Sequence, residues 1–286
     1  ATVYEFWDFI TQNVFSGTAP EADVLTMSIG SQFQDWWARG IESMAQHTGL
    51  IVVAGIGNGS GVYDPVLYPA AGTNIIGVGV VNAVNSPDFS TNLANFALPQ
   101  PGNSSFGPTA DGRCKPDIVA PGNCLAADAN TAFGYEPTGD WSSLSAPIVA
   151  GTAALLVQTA KQNPDLSSAI PPKTENCLIK AILLNSAKKL AYWHKGALGH
   201  DDDHEVPLDY AQGAGLVNAL GAYEHLVAGR AGPGNIPPRG WDIDQLELPS
   251  RTQENTYSMT LAPNAGGFIT VTLVWNKHFA ESYPFQ

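Results

Sequence analysis

Basic residues are scarce in this chain: 13 Lys and Arg stand against 26 Asp and Glu, a formal charge of −13 over 286 residues. Such a surface repels phosphate backbones, so a nucleic-acid partner is not expected, and self-repulsion favours solubility. No run of eighteen apolar residues occurs, so no membrane span is expected either. Cysteine is nearly absent, and three residues cannot all pair within the chain. Cys114 and Cys124 lie ten apart across a Pro-Gly segment and could form one bridge, whereas Cys177 leads an apolar run and is expected as a buried thiol. No Cys-x-x-Cys or His-rich spacing accompanies them, which leaves metal ligation without support. Neither an initiator Met nor a charged-then-apolar leader opens the chain, so it reads as processed or as cut from something longer.

What is present is enough for one substantial core. Hydrophobic residues make up 44%, and 29 Gly with 21 Pro suit ordered loops. Phe6, Trp7, Ile10 and Val14 recur at helical spacing, as do Trp37, Ile41, Met44 and Ala45. Between and after these helices lie continuous apolar stretches of strand length at 23–30, 50–55 and 75–81, with a shorter one at 117–120. Strands without polar alternation are covered on both faces, as in a parallel sheet flanked by helices. The expected fold is therefore α/β with three layers. Further helices are expected at 146–161, 175–189 and 215–227. A Gly- and Pro-rich linker follows at 233–240, and alternating stretches at 256–261 and 267–275 predict the start of an antiparallel β-sandwich unit. The domain division expected is 1–232 and 241–286.

The chain is organised around Trp141-Ser142-Ser143-Leu144-Ser145-Ala146-Pro147-Ile148-Val149-Ala150-Gly151. Small helix-favouring residues follow Ser143 without a break, so its hydroxyl stands at a helix N-terminus, where free N–H groups and the helix dipole stabilise a developing negative charge. From the residues alone, a nucleophile and a simple helix cap both remain open. The turn Gly55-Ile56-Gly57-Asn58-Gly59-Ser60 places an amide donor at the carboxyl end of a buried strand. Its glycine spacing fails the dinucleotide fingerprint, which would need Gly at position 60 or 62. Asn58 reads either as an oxyanion donor or as a residue accepting a left-handed turn.

Ser-x-Ser-Ala-Pro-x-Val-Ala-Gly, starting at Ser143, resembles the nucleophile motif of the subtilisin-like serine proteases. Other segments resemble the same family in its order. They are Met27-Ser28-Ile29-Gly30, Val52-Val53-Ala54-Gly55-Ile56-Gly57-Asn58, the stretch from Ser104 to Gly122 with Lys115-Pro116-Asp117-Ile118-Val119-Ala120-Pro121-Gly122, the 178–187 helix, and Gln212-Gly213-Ala214-Gly215-Leu216-Val217-Asn218-Ala219. The resemblance implies Ser143 as nucleophile and Asn58 as oxyanion donor. It implies a substrate groove walled by Ser28, Ile29 and Gly30 on one side and Gly55, Ile56 and Gly57 on the other, with Ile56 narrowing it. It also implies a polypeptide substrate, no cofactor in the chemistry, and a secreted or extracytoplasmic location.

Two departures qualify it. Trp141-Ser142 stands where the family usually has Gly-Thr, placing a large ring beside the pocket. The family's Asp-Ser/Thr-Gly and His-Gly-Thr contexts occur nowhere, and His47, His194, His200, His204, His225 and His278 match neither. The aspartate and histidine are therefore expected on a preceding segment or a separate chain; the alternative is a pseudoprotease that keeps the groove for binding. His200-Asp201-Asp202-Asp203-His204-Glu205 fits no known ligand loop and reads as a solvated acidic run, with a structural calcium as the alternative.

Overall fold

The computed structural model describes residues 3–16, 19–59, 65–81, 104–122, 124–127, 130, 134–139, 141–190, 193, 207–245, 254–261 and 269–286. In chain order the elements are α1 (Val3–Asn13), β1 (Phe15–Ser16), β2 (Ala19–Pro20), β3 (Val24–Met27), α2 (Trp36–Thr48), β4 (Ile51–Gly55), β5 (Ile76–Val81) and β6 (Ile118–Pro121). There follow β7 (Leu125–Ala127), β8 (Tyr135–Pro137), α3 (Ser142–Gln162), α4 (Pro164–Ala169), α5 (Glu175–Ser186), α6 (Ala219–Val227), β9 (Gly234–Asn235) and β10 (Tyr257–Ser258). Strands β3, β4, β5 and β6 form one parallel sheet in that spatial order, with Val24 opposite Ile51, Val53 opposite Ile76 and Val78 opposite Ile118.

Period-two alternation divides each inner strand between two cores. Ile51, Val53, Ile76, Val78, Ile118 and Ala120 turn toward α3, α5 and α6, while Val52 and Ala54 turn toward α1 and α2. This is the three-layer α/β arrangement that the unbroken apolar strands imply. Asp35 caps α2 through its carboxylate on the Trp36 N–H at 2.6 Å, and Gly49 ends it at φ 78°, in the left-handed region that glycine enters freely.

Helix α3 runs from Ser142, four residues before the expected start, because Trp141 adopts the extended N-cap conformation. Its 21 residues are long and apolar enough to cross a bilayer, yet the helix packs along the sheet and is half buried. Its buried stripe holds Ala146, Val149, Ala150, Ala153, Leu156, Val157 and Ala160. The opposite stripe, Pro147, Ile148, Gly151, Ala154 and Leu155, is exposed although apolar. It lies beside the β3 edge, where β4 is the strand's single partner among the described residues.

A buried polar cluster joins the layers. Asp117, at the head of β6, accepts from the Gly77 N–H at 2.7 Å and pairs with both Lys115 and Lys180. The two ammonium groups also donate to the Ile75 carbonyl, at 3.1 and 2.8 Å. Burial alone raises the Asp117 carboxyl, but the two lysines outweigh it and hold the group below its ordinary range. Lys115 is fully enclosed, and burial pushes it down to about 8, with Lys180 acting in the same direction and Asp117 opposing.

One expectation is corrected. Cys114 and Cys124 are not bridged: Cys114 Sγ faces the Asp209 carbonyl at 3.2 Å, Cys124 sits against Thr138, and all three thiols are free. Burial pushes the Cys114 thiol up to about 12. At the C-terminus, Tyr257–Ser258 pairs with Gly234–Asn235 in parallel, and residues 269–279 have no strand partner among the described residues; 262–268, inside the stretch expected to begin a β-sandwich unit, lie outside them. The alternation is present, with Val271 and Leu273 outward at 86% and 79% exposure, but polar groups of the helical core hold this segment instead. Asn185 donates to Thr270 O, Asn74 brackets the Lys277 backbone at 2.7 and 2.9 Å, and Gln46 accepts from Phe279 N at 2.8 Å.

Candidate active site

The carboxyl ends of β3 and β4 and the N-terminus of α3 converge, as a parallel sheet requires of its crevice. Trp141 is the N-cap of α3 and makes no side-chain cap bond, which removes the simple-cap reading for the neighbouring serines. Ser145 Oγ donates to Ala120 O on β6 at 2.9 Å, and Ser142 is engaged with the β4 turn. The Ser143 hydroxyl alone has no partner among the described residues.

Ser142 and Asn58 lock together. The Asn58 Oδ1 accepts from Ser142 N at 2.8 Å and from Ser142 Oγ at 2.9 Å, while Ser142 Oγ accepts from Gly57 N at 3.2 Å. A backbone N–H can only donate, so the amide atom facing it is the oxygen. Nδ2 is thereby turned outward as a donor with no partner among the described residues. The Ser143 N–H, second in the helix, likewise has no intrahelical acceptor.

Pro147 contributes through what it lacks. Four residues after Ser143, it has no N–H to give the Ser143 carbonyl, which instead accepts from Ser28 Oγ at 2.9 Å. That bond ties the Ser143 backbone to the segment beyond β3. Proline four positions after a candidate serine was the legible signal for it. The role of Ser142, by contrast, had no signal beyond its hydroxyl.

Ser28, Ile29 and Gly30 are exposed on the continuation of β3, and Ser31 then pairs with Tyr68 through two backbone bonds of 2.9 and 2.8 Å. Across from them, Gly55 leaves room for Ser142 Oγ, which a Cβ would meet at 2.9 Å. Gly57 sits at φ 120° with Ser105 Oγ only 2.4 Å from the place of a Cβ, so both the turn and the close approach require glycine. Ile56 departs from expectation. Its side chain continues the Val52–Ala54 alternation into the α2-side core and is fully buried, so it offers the groove backbone alone.

Among the described residues, His47, His225 and His278 make no contact with Ser143: His47 and His278 sit at the far end of α2, bonded to Phe279 and Gln46. His194, His200 and His204, and the acidic run through Glu205, lie outside the described residues. Among the described residues no three His, Cys, Asp or Glu side chains gather as a metal site.

A serine in the first turn of a helix, on the carboxyl edge of a three-layer parallel sheet, is the arrangement of an α/β protein whose crevice lies at that edge. The chain belongs to the subtilase family, whose model matches residues 5–218. It is 30% identical to the serine protease AprX of Bacillus subtilis over 69% of this chain and 42% of that protein. It is 28% identical to pyrolysin of Pyrococcus furiosus over 78% of this chain and 16% of that protein. It thus spans less than half the length of these relatives. Among solved structures, the patellamide maturation protease PatA superposes with a TM-score of 0.54 at 24% identity, covering 79% of this chain and 70% of that one. The shared fold is subtilisin-like.

Proposed function

We propose that this chain is the nucleophile-bearing part of a serine endopeptidase, hydrolysing polypeptides through an acyl-enzyme on Ser143. What supports the reading is the Asn58–Ser142 lock, which holds Asn58 by its Oδ1 next to Ser143 and leaves Nδ2, the Ser143 N–H and the Ser143 hydroxyl without partners among the described residues. Developing oxyanion charge would be held there without reorganisation. Substrate backbone docks along Ser28, Ile29 and Gly30, with Gly55, Ile56 and Gly57 as the backbone wall opposite. The general base and its orienting carboxylate come from a segment or chain outside these residues. The exposed apolar stripe of α3, Pro147 to Leu155, and the adjoining β3 edge supply a surface for it that reaches the nucleophile. The reaction as proposed uses no cofactor, and a secreted or extracytoplasmic location follows the family resemblance.

The test is fluorophosphonate labelling of the full-length protein with peptide mapping. Modification of Ser143, abolished in Ser143→Ala, is expected; a full-length protein that stays unlabelled yet binds peptide would establish the pseudoprotease instead. The Trp141 substitution favours that second reading, and the retention of both Ser143 and Asn58 weighs against it.

A further inference from the structure

The first turn of α3 crosses the sheet's carboxyl edge. Ser143 O is bonded to Ser28 beyond β3, Ser142 to Asn58 beyond β4, and Trp141 N to Gly122 O beyond β6 at 3.4 Å. Since β3 and β6 occupy opposite edges of the sheet, stepping back from Ser143 to Trp141 moves from the β3 side toward the β6 side. On the peptidase reading above, which this inference rests on, the acyl half of a substrate lies along β3. Chain beyond the scissile bond therefore leaves across Trp141.

That side carries an apolar surface. The β7–β8 hairpin leaves β6 directly and is closed by Thr138 N donating to Cys124 O at 2.8 Å, three residues before Trp141. Its register places Leu125 and Tyr135 on one face as diagonal neighbours, at 70% and 73% exposure. The Trp141 ring is folded back over Gly139, where a Cβ would meet Nε1 at 2.3 Å, and it is 47% exposed. Gly139 has no left-handed φ, so the ring itself is what excludes a side chain there.

We propose that Trp141, with Leu125 and Tyr135, forms a subsite for a large apolar side chain on the leaving-group side of the cleaved peptide bond. The folded-back ring leaves about half of its apolar surface open, three residues from the bond that closes the base of the hairpin. Trp141→Ala removes this face. Gly139→Ala keeps the indole but displaces it.

The experiment uses the full-length protein and peptides differing only in the first residue after the scissile bond, Gly, Leu or Phe, with kcat/KM expressed per fluorophosphonate-titrated serine. A preference for Leu and Phe over Gly on the order of tenfold is expected, falling to near unity in Trp141→Ala and reduced in Gly139→Ala. A titratable serine with no such preference, or a preference that survives both substitutions, overturns the subsite alone. A parent protein with no titratable serine overturns the peptidase reading, and the subsite with it.

Discussion

Asn58 and Ser142 act as one unit, so replacing either has two consequences. Asn58→Ala removes the proposed oxyanion donor, a change that in a subtilisin costs on the order of 10²–10³ in rate, and it also takes the acceptor away from the Ser142 N–H and O–H, leaving Ser142 Oγ with the Gly57 N–H alone. Ser142→Ala keeps the donor but loosens it. A fall in kcat of roughly tenfold with KM little changed is expected, restored by Ser142→Thr, since only a hydroxyl is needed to hold Oδ1. Steady-state kinetics of the full-length protein separate the two. Pro147→Ala makes the opposite trade: it gives the Ser143 carbonyl an intrahelical donor in competition with Ser28. The helix gains about 1–2 kcal/mol, visible as a raised Tm, while the labelling rate of Ser143 falls. Motif spacing made Ser143 and Asn58 legible. It could not show that the Asn58 amide has its oxygen inward, because that follows from a hydrogen bond spanning 84 residues.

At the level of elements, the Lys115–Asp117–Lys180 cluster joins the strand entering β6 to α5 and to the loop before β5. Asp117→Asn leaves two buried ammonium groups without a counter-charge and should lower stability by about 3–5 kcal/mol in denaturant melts. Lys115 gives this cluster an alkaline signature. Its folded value near 8 lies below the ordinary 10.5, so between those limits the unfolded chain binds more protons and stability rises with pH. Lys115→Met should flatten that rise. Asp117, held below its ordinary 3.8, has the same sign at the acid end: its stabilisation is full above that value and is lost as pH falls through the depressed one. The strands themselves were legible because each inner one is apolar on both faces. The β7–β8 hairpin and α4 were not, since 3- and 6-residue elements carry too few positions for a period to register.

Across the whole molecule, the longest helix among the described residues, α3, is left half open. Leu155 is 61% exposed at the C-terminal end of its outward stripe, beside the β3 edge. Such a surface favours association. Leu155→Glu in the isolated chain should change its stability by no more than about 0.5 kcal/mol and reduce self-association in size-exclusion chromatography. In the full-length protein the same change should lower both Tm and Ser143 labelling, because there the stripe is expected to be covered. The two ends of the chain also meet: Trp7 packs on Phe285 with ring centroids 5.5 Å apart, and Arg39 donates to Pro284 O at 3.1 Å. Residues 276–285 thereby fasten α1 and α2 to the loop before β5.

The order of apolar runs, the residues that end them and the motif around Ser143 determined the three-layer fold and the identity of the nucleophile candidate, because these depend on local periodicity and residue type. Long-range contacts decided the rest. Which atom of Asn58 faces outward, where the Ile56 side chain goes, whether two cysteines meet, what the extended C-terminal segment packs against and which face of α3 stays bare are settled only when distant segments compete for the same hydrogen bonds and the same buried surface.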